Sequence, residues 1–115
     1  MLEGIGIDIV EVERFEGALA RRGERLLRRL FTERELLYAR GKKRSETHLA
    51  ARFAAKVSVM KAVGSPLSFR EIEISNDGSG RPVAEAMGLD KSLRISISIT
   101  HDGGLAVAKA VIERL

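Results

Sequence analysis

Apolar and polar positions alternate strictly from Gly4 to Val10, so Ile5, Ile7 and Ile9 fall on one face of a predicted strand and Gly4, Gly6 and Asp8 on the other. The glycine face carries almost no side chain. Another element or a ligand can therefore approach its backbone closely, beside Asp8. From Val10 to about Arg29 the apolar spacing becomes helical but is interrupted at Gly23, which predicts a helix followed by a shorter basic one. Thr32 and Glu35 form a capping box, with Phe31 placed to staple onto Leu36, so a third helix starts here and stops near Gly41. After a basic loop from Lys42 to Arg44, Leu49 to Val63 reads as the main helix, with Leu49, Phe53, Met60 and Val63 as its apolar stripe. Gly64, followed by Ser65-Pro66, ends it.

The second half has the period of strands. Phe69 to Ser75 alternates, Asn76 to Gly80 is a turn, and Arg81 to Ala84 returns as a hairpin. Leu93 to Thr100 sets Ile95, Ile97 and Ile99 against Ser96, Ser98 and Thr100, and the turn Asp102-Gly103-Gly104 leads into Leu105 to Ile112. Helices first and strands later predict an α+β fold in which an antiparallel sheet is covered on one face by the long helix.

Composition narrows the setting. The chain has 115 residues, the size of one domain spanning 1–115, with 44% hydrophobic and 31% charged residues, the balance of an ordinary globular protein. No apolar run is long enough to cross a bilayer, and Met1 to Ile5 lacks the features of a secretory signal, so a cytoplasmic location is the default expectation. The absence of cysteine removes disulfides, thiolate metal sites and a cysteine nucleophile together. The net charge of +4 is concentrated in the first half, in Arg21, Arg22, Arg25, Arg28 and Arg29 and again in Arg40, Lys42, Lys43 and Arg44. Such clusters attract polyanions. With only 4% aromatic residues, single-strand nucleic-acid binding is disfavoured, while duplex backbone binding stays as a competing reading.

No phosphate loop, dinucleotide fingerprint or histidine pair at zinc spacing is present. Asp8, Lys56, Lys61 and His101 stand near the ends or along the faces of the predicted elements. Singly, each fits a cap, a solvated lysine or a local hydrogen-bonder as well as it fits chemistry. Together their order is informative. Gly4-Ile5-Gly6-Ile7-Asp8-Ile9, Phe31-Thr32-Glu33-Arg34-Glu35, Ala51-Arg52-Phe53-Ala54-Ala55-Lys56 with Lys61-Ala62-Val63-Gly64, and Ser98-Ile99-Thr100-His101 resemble the holo-acyl-carrier-protein synthases of the phosphopantetheinyl transferase superfamily. The resemblance runs from Gly4 to Glu113.

That resemblance implies transfer of 4′-phosphopantetheine from coenzyme A to a serine of an acidic acyl carrier protein, with magnesium as cofactor. It implies that Asp8 is a magnesium ligand, that Lys61 contacts coenzyme phosphates, and that Gly64 and His101 lie in the coenzyme pocket. Lys43 and Arg44 match basic positions near the 3′-phosphate, and Gly80-Arg81-Pro82 matches a loop near the adenine. Arg14, Arg21, Arg22, Arg25 and Arg28 would face the carrier. A homotrimer with active sites shared between subunits is implied as well.

The sequence departs from the family pattern at two places. Val57 stands where the family has a second metal-binding glutamate, one turn before Lys61 on the same helix face. The connection Gly64-Ser65-Pro66-Leu67 is shorter than the family's usual glycine-containing loop. The Val57 departure admits a second expectation, a family member that binds coenzyme A or carrier protein with little turnover.

Overall fold

Gly4 and Gly6 determine how the two largest elements meet. In the computed structural model, which describes all 115 residues, β1 (Leu2–Glu11) lies under α4 (Ser45–Val63) with its glycine side against the helix. A Cβ built on Gly6 would stand 2.0 Å from the Ser58 carbonyl oxygen, and one on Gly4 2.0 Å from that of Ala62. No side chain fits there, so backbone packs on backbone. The isoleucine side faces outward, with Ile5, Ile7 and Ile9 55%, 59% and 60% exposed.

Between these two elements the chain forms α1 (Val12–Arg22), α2 (Glu24–Leu30) and α3 (Glu33–Arg40). Gly23, with φ 65°, separates α1 from α2 and donates its N–H to the Leu19 carbonyl at 2.7 Å. Its positive φ is natural for glycine, which is why the helical pattern breaks there. Thr32 caps α3 as expected: the Glu35 N–H donates to Thr32 Oγ1 at 3.3 Å and the Thr32 N–H donates to Glu35 Oε1 at 2.8 Å.

After α4 come β2 (Ile72–Asn76), β3 (Pro82–Ala86), β4 (Leu93–Asp102) and β5 (Leu105–Arg114). One antiparallel sheet has the order β1-β5-β4, and β2 pairs with β3 in a separate hairpin. Register places Val10, Ala106 and His101 in one row across the sheet, and Asp8, Ala108 and Ile99 in another. The α+β class, the antiparallel pairing and the long covering helix follow the pattern of the sequence.

Several boundaries differ from expectation: β1 starts earlier, at Leu2, β4 runs on through Asp102, which the sequence placed in the turn, and β5 continues to Arg114. The first strand continues to Glu11, and α4 begins at Ser45, a turn before Leu49. Phe69–Glu71 is a 3-10 turn rather than strand, because Ser68 and Glu71 form a second capping box. The return strand of this hairpin runs from Pro82 to Ala86. The expected α4 stripe is also replaced. Ala50, Ala54, Ala55 and Val59 are fully buried, while Phe53, Met60 and Val63 are only half-buried. This helix is enclosed on most sides, its first half packed among the helices and its second half against both sheets, so it has no single apolar face.

A charged pair sits inside this packing. Lys56 on α4 and Glu35 on α3 are both completely buried, 2.5 Å apart. Lys56 also donates to the Leu30 carbonyl at 2.8 Å, and Glu35 Oε2 accepts from the Ile74 N–H at 2.8 Å. The pair therefore ties α2, α3, α4 and β2 at one point. Burial lowers the Lys56 pKa, against the opposing pull of Glu35.

Candidate functional site

Asp8 and Lys61 meet at the edge where β1 leaves the cover of α4. The Lys61 ammonium donates to the Ile7 carbonyl at 3.0 Å and to Asp8 Oδ1 at 3.4 Å. The Asp8 side chain is 17% exposed and that of Lys61 54%, so the carboxylate is sheltered while the ammonium remains free to move. Val57 is half-buried one turn before Lys61 on the same helix face and presents methyl groups. No cluster of three or more His, Asp or Glu side chains able to hold a metal is present. The donor set is one carboxylate beside a backbone carbonyl, which fits a magnesium ion whose remaining positions are filled by ligand phosphates and water. Gly64, in the left-handed conformation at φ 74°, closes α4 just beyond Lys61.

A second group gathers at the other half of α4. His101 lies in two adjoining clefts. One, of about 210 Å³, is lined by Tyr38, His48, Ala51, Arg52, Asn76, Pro82, Ile99 and His101. The other, of about 470 Å³, includes Arg44, Thr47, His101 and the Asp102 to Leu105 turn. His101 thus borders both clefts, with Pro82 lining the first and Arg44 the second. Lys43 is exposed in the turn before α4. Arg44 begins the helix at φ 56°, the only non-glycine residue with positive φ.

Arg52 organises this cleft, although the sequence assigns it no role beyond its place in the motif Ala51 to Lys56. It donates to the Ile74 carbonyl at 2.9 Å and to Asn76 Oδ1 at 2.7 Å, and its guanidinium lies 4.4 Å from the centre of the Tyr38 ring. Asn76 passes the connection on, donating to the Gly80 carbonyl at 2.9 Å. The Gly80-Arg81-Pro82 loop is also held by Asp77, whose carboxylate accepts from the N–H groups of Ser79 and Arg81 and from the Ser79 hydroxyl. These bonds lower the Asp77 pKa below its ordinary 3.8. Arg52 Nε alone among buried side-chain polar atoms lacks a hydrogen-bond partner. His48, half-buried beside Arg52, has its pKa lowered from 6.5 first by burial and then by the positive charges of Arg52, Lys42 and His101. A cleft with this charge favours an anion, and its rings offer flat apolar contact.

No hydrogen bond or ion pair joins the Asp8–Lys61 pair to the His101 clefts. Arg52 and Lys61 are separated by about 13 Å along α4, at the usual helical rise per residue. The two groups are thus distinct surfaces of one chain.

The arginines form a third surface. Arg14, Arg21, Arg22, Arg25 and Arg28 are all exposed. Arg22 and Arg25 line a groove with Leu26 and Arg29, and Arg22 and Arg28 line an adjoining one with Leu30, Phe69 and Arg70. Arg70 extends the predicted set, whereas Arg14 and Arg21 line neither groove. Arg70 could not be assigned to this surface from sequence because the 3-10 turn carries it there. A larger groove of about 680 Å³ among α1 to α4 is rimmed by Glu16, Glu24 and Glu46 and holds none of the predicted site residues.

Comparison with known proteins finds relatives over nearly the whole chain. Residues 4–110 match the family model of the 4′-phosphopantetheinyl transferase superfamily. The holo-[acyl-carrier-protein] synthase of Geotalea daltonii is 41% identical, the match covering 99% of this chain and 100% of that protein. That of Salinispora arenicola is 47% identical over 99% and 100% of the two chains. Among solved structures, the Bacillus anthracis synthase in complex with coenzyme A (3′,5′-ADP) superposes with a TM-score of 0.87 at 37% identity, covering 100% of this chain and 99% of that one. The Helicobacter pylori synthase in complex with coenzyme A gives a TM-score of 0.81 at 29% identity, over 95% and 99%. Full-length relatedness of this strength makes the chain an enzyme of the 4′-phosphopantetheinyl transferase superfamily, belonging to its holo-[acyl-carrier-protein] synthases.

Proposed function

We propose that this protein transfers the 4′-phosphopantetheine arm of coenzyme A to a serine hydroxyl of an apo acyl carrier protein, releasing 3′,5′-adenosine bisphosphate. The observation that carries this reading is the cleft lined by Arg52, His48 and His101 together with Tyr38 and Pro82, which sets cationic groups beside a flat ring. Coenzyme A supplies both an adenine to lie flat on such a surface and a 3′-phosphate for its cations. Arg44, Lys43 and His101 would hold the phosphate end, and Gly80-Arg81-Pro82 would border the adenine. Gly64 would border the coenzyme at the far end of α4.

The diphosphate would lie at Asp8 and Lys61. Attack by the carrier serine forms a new phosphorus–oxygen bond to the pantetheine phosphate and breaks its bond to the departing adenosine bisphosphate, while the serine proton passes to solvent water. Lys61 meets the negative charge that grows on the leaving group, from a preorganised position and without a nucleophile from this chain. Asp8 would hold magnesium together with the diphosphate. When bound, that ion supplies further neutralisation of phosphoryl charge. Binding without turnover has no observation of its own in support.

The exposed arginines Arg14, Arg21, Arg22, Arg25 and Arg28 offer an acidic carrier protein complementary charge, and Leu26 offers it an apolar floor. The chain would act as one domain, in the cytoplasm, and as a homotrimer built on the open isoleucine face. Separation of the two polar groups within one chain supports sites completed by a neighbouring copy. Incubating the protein with coenzyme A, magnesium and apo carrier protein should raise the carrier's mass by one phosphopantetheine group, and Asp8→Ala should abolish the gain. No mass change at any magnesium concentration would reject the assignment.

A further inference from the structure

We infer that the divalent cation of this reaction enters together with coenzyme A, and that the free protein has no standing cation site. The inference rests on the functional reading above and concerns the same corner. Two protein oxygens of this corner, Asp8 Oδ1 and the Ile7 carbonyl, already face the Lys61 ammonium at 3.4 and 3.0 Å, which leaves Asp8 Oδ2 as the one carboxylate oxygen not turned to it. Asp8 and Lys61 carry opposite unit charges, so the corner is neutral before any ligand arrives. A divalent ion would have to displace or sit beside an ammonium, with one carboxylate to hold it. The next helix turn toward the cation offers only the methyl groups of Val57.

The diphosphate reverses each of these terms. It brings negative charge and several oxygens, and it gives Lys61 a second anion to face. The Lys61 side chain is 54% exposed and flexible enough to turn toward phosphate, which releases Asp8 for the metal. Magnesium readily accepts such a shell of one carboxylate, phosphate oxygens and water. Affinity for the ion is thus created by the coenzyme, and by linkage the ion must strengthen coenzyme binding by the same factor.

Electron paramagnetic resonance with Mn²⁺ as probe tests the first half on the unaltered free protein. No bound signal is expected up to about 1 mM, the range of millimolar affinity. Calorimetry tests the second half, where coenzyme A should bind about tenfold more tightly with magnesium than with EDTA, within the usual range of such couplings. Val57→Glu should give the free protein a measurable Mn²⁺ site and shrink the magnesium effect on coenzyme affinity. Should that variant fail to fold, the two measurements on the unaltered protein still decide. Stoichiometric Mn²⁺ binding to the free protein that vanishes in Asp8→Ala overturns the inference, as does equal coenzyme affinity in EDTA and magnesium. A protein that binds no coenzyme A under either condition would instead bring down the functional reading itself.

Discussion

Lys56 and Lys61 lie five positions apart on one helix and have opposite environments, which no local sequence feature announces. Lys61 reaches the protein surface, while Lys56 ends inside the core against Glu35. Removing one member of such a pair leaves a buried charge uncompensated, so Glu35→Ala should cost about 3–5 kcal/mol in denaturant unfolding. A loss below about 1 kcal/mol would mean that water reaches Lys56 and that the pair behaves as a surface one. The ordered motifs single out Asp8, Lys61 and His101 as candidates. Arg52 stands inside one of those motifs and His48 outside them, and neither carries a signal of its own, because Tyr38, Asn76 and Pro82 are brought to them by α3 and the β2–β3 hairpin. His48 offers a direct readout of that cleft. Its lowered pKa means that the folded chain disfavours the charged ring. Between that value and 6.5 the unfolded state binds more protons, and stability rises with pH across the window. Coenzyme phosphate nearby should reverse the shift. With only two histidines in the chain, a proton NMR titration should show the His48 ring, assigned by its loss in His48→Gln, titrating higher on addition of coenzyme A. An unmoved pair of titrations would place the anion elsewhere.

At the scale of elements, the packing of α4 on β1 rests on two missing side chains. Gly6→Ala would drive a methyl to 2.0 Å from the Ser58 carbonyl and 2.9 Å from the Lys61 Cβ. Because the obstacle is helix backbone, strand and helix must separate, at a cost of about 1–3 kcal/mol for overpacking. The same separation moves Asp8 from Lys61, so transferase activity should fall further than the melting temperature alone would suggest. A stable Gly6→Ala variant with unchanged activity would show that the contact does not position the pair. The close approach itself was readable from the alternation of Gly4, Gly6 and Asp8. The α4 stripe was not, since a helix enclosed by both helices and sheets loses the one-sided pattern on which such a reading depends. The β2–β3 turn was legible in its glycines, but its dependence on Asp77 appears only when the accepted hydrogen bonds are seen. A carboxylate whose folded pKa lies below 3.8 contributes stability fully above that value and loses it as pH falls through the lowered pKa. Hydrogen exchange at the Ser79 and Arg81 amides should therefore become less protected in acid before the sheets open, and Asp77→Asn should weaken this dependence.

For the whole molecule, the outer sheet face is the unresolved surplus. Ile5, Ile7 and Ile9 continue across β5 into Val107 and Val111, and the row Ile7, Lys109 and Ser98 runs through its middle. Alternation showed that the isoleucines share a face and that the glycine face admits a close neighbour, but not that this neighbour would be α4. That outcome follows from the glycines, since only a bare face admits α4 so closely. An exposed row of three isoleucines flanked by Val107 and Val111, with Lys109 and Ser98 between, marks an interaction surface, and a second and third copy of the chain are its proposed occupants. Ile7→Asp should place a charge in that contact and yield monomers by light scattering while leaving the circular dichroism spectrum intact. If sites are shared between copies, those monomers should also lose transfer activity. A sharper test mixes two inactive variants, Asp8→Ala and His101→Ala, and lets their subunits exchange through co-expression. A trimer that pairs Asp8 of one copy with His101 of the next would regain some intact sites, and activity should return in the mixture while each variant alone stays inactive. If both groups served a site within the same chain, every copy would carry one lesion and no mixing ratio could restore turnover. Recovery would therefore assign the separation of the Asp8 and His101 groups to assembly, and its absence in a confirmed mixed trimer would require coenzyme A to span both groups on a single chain.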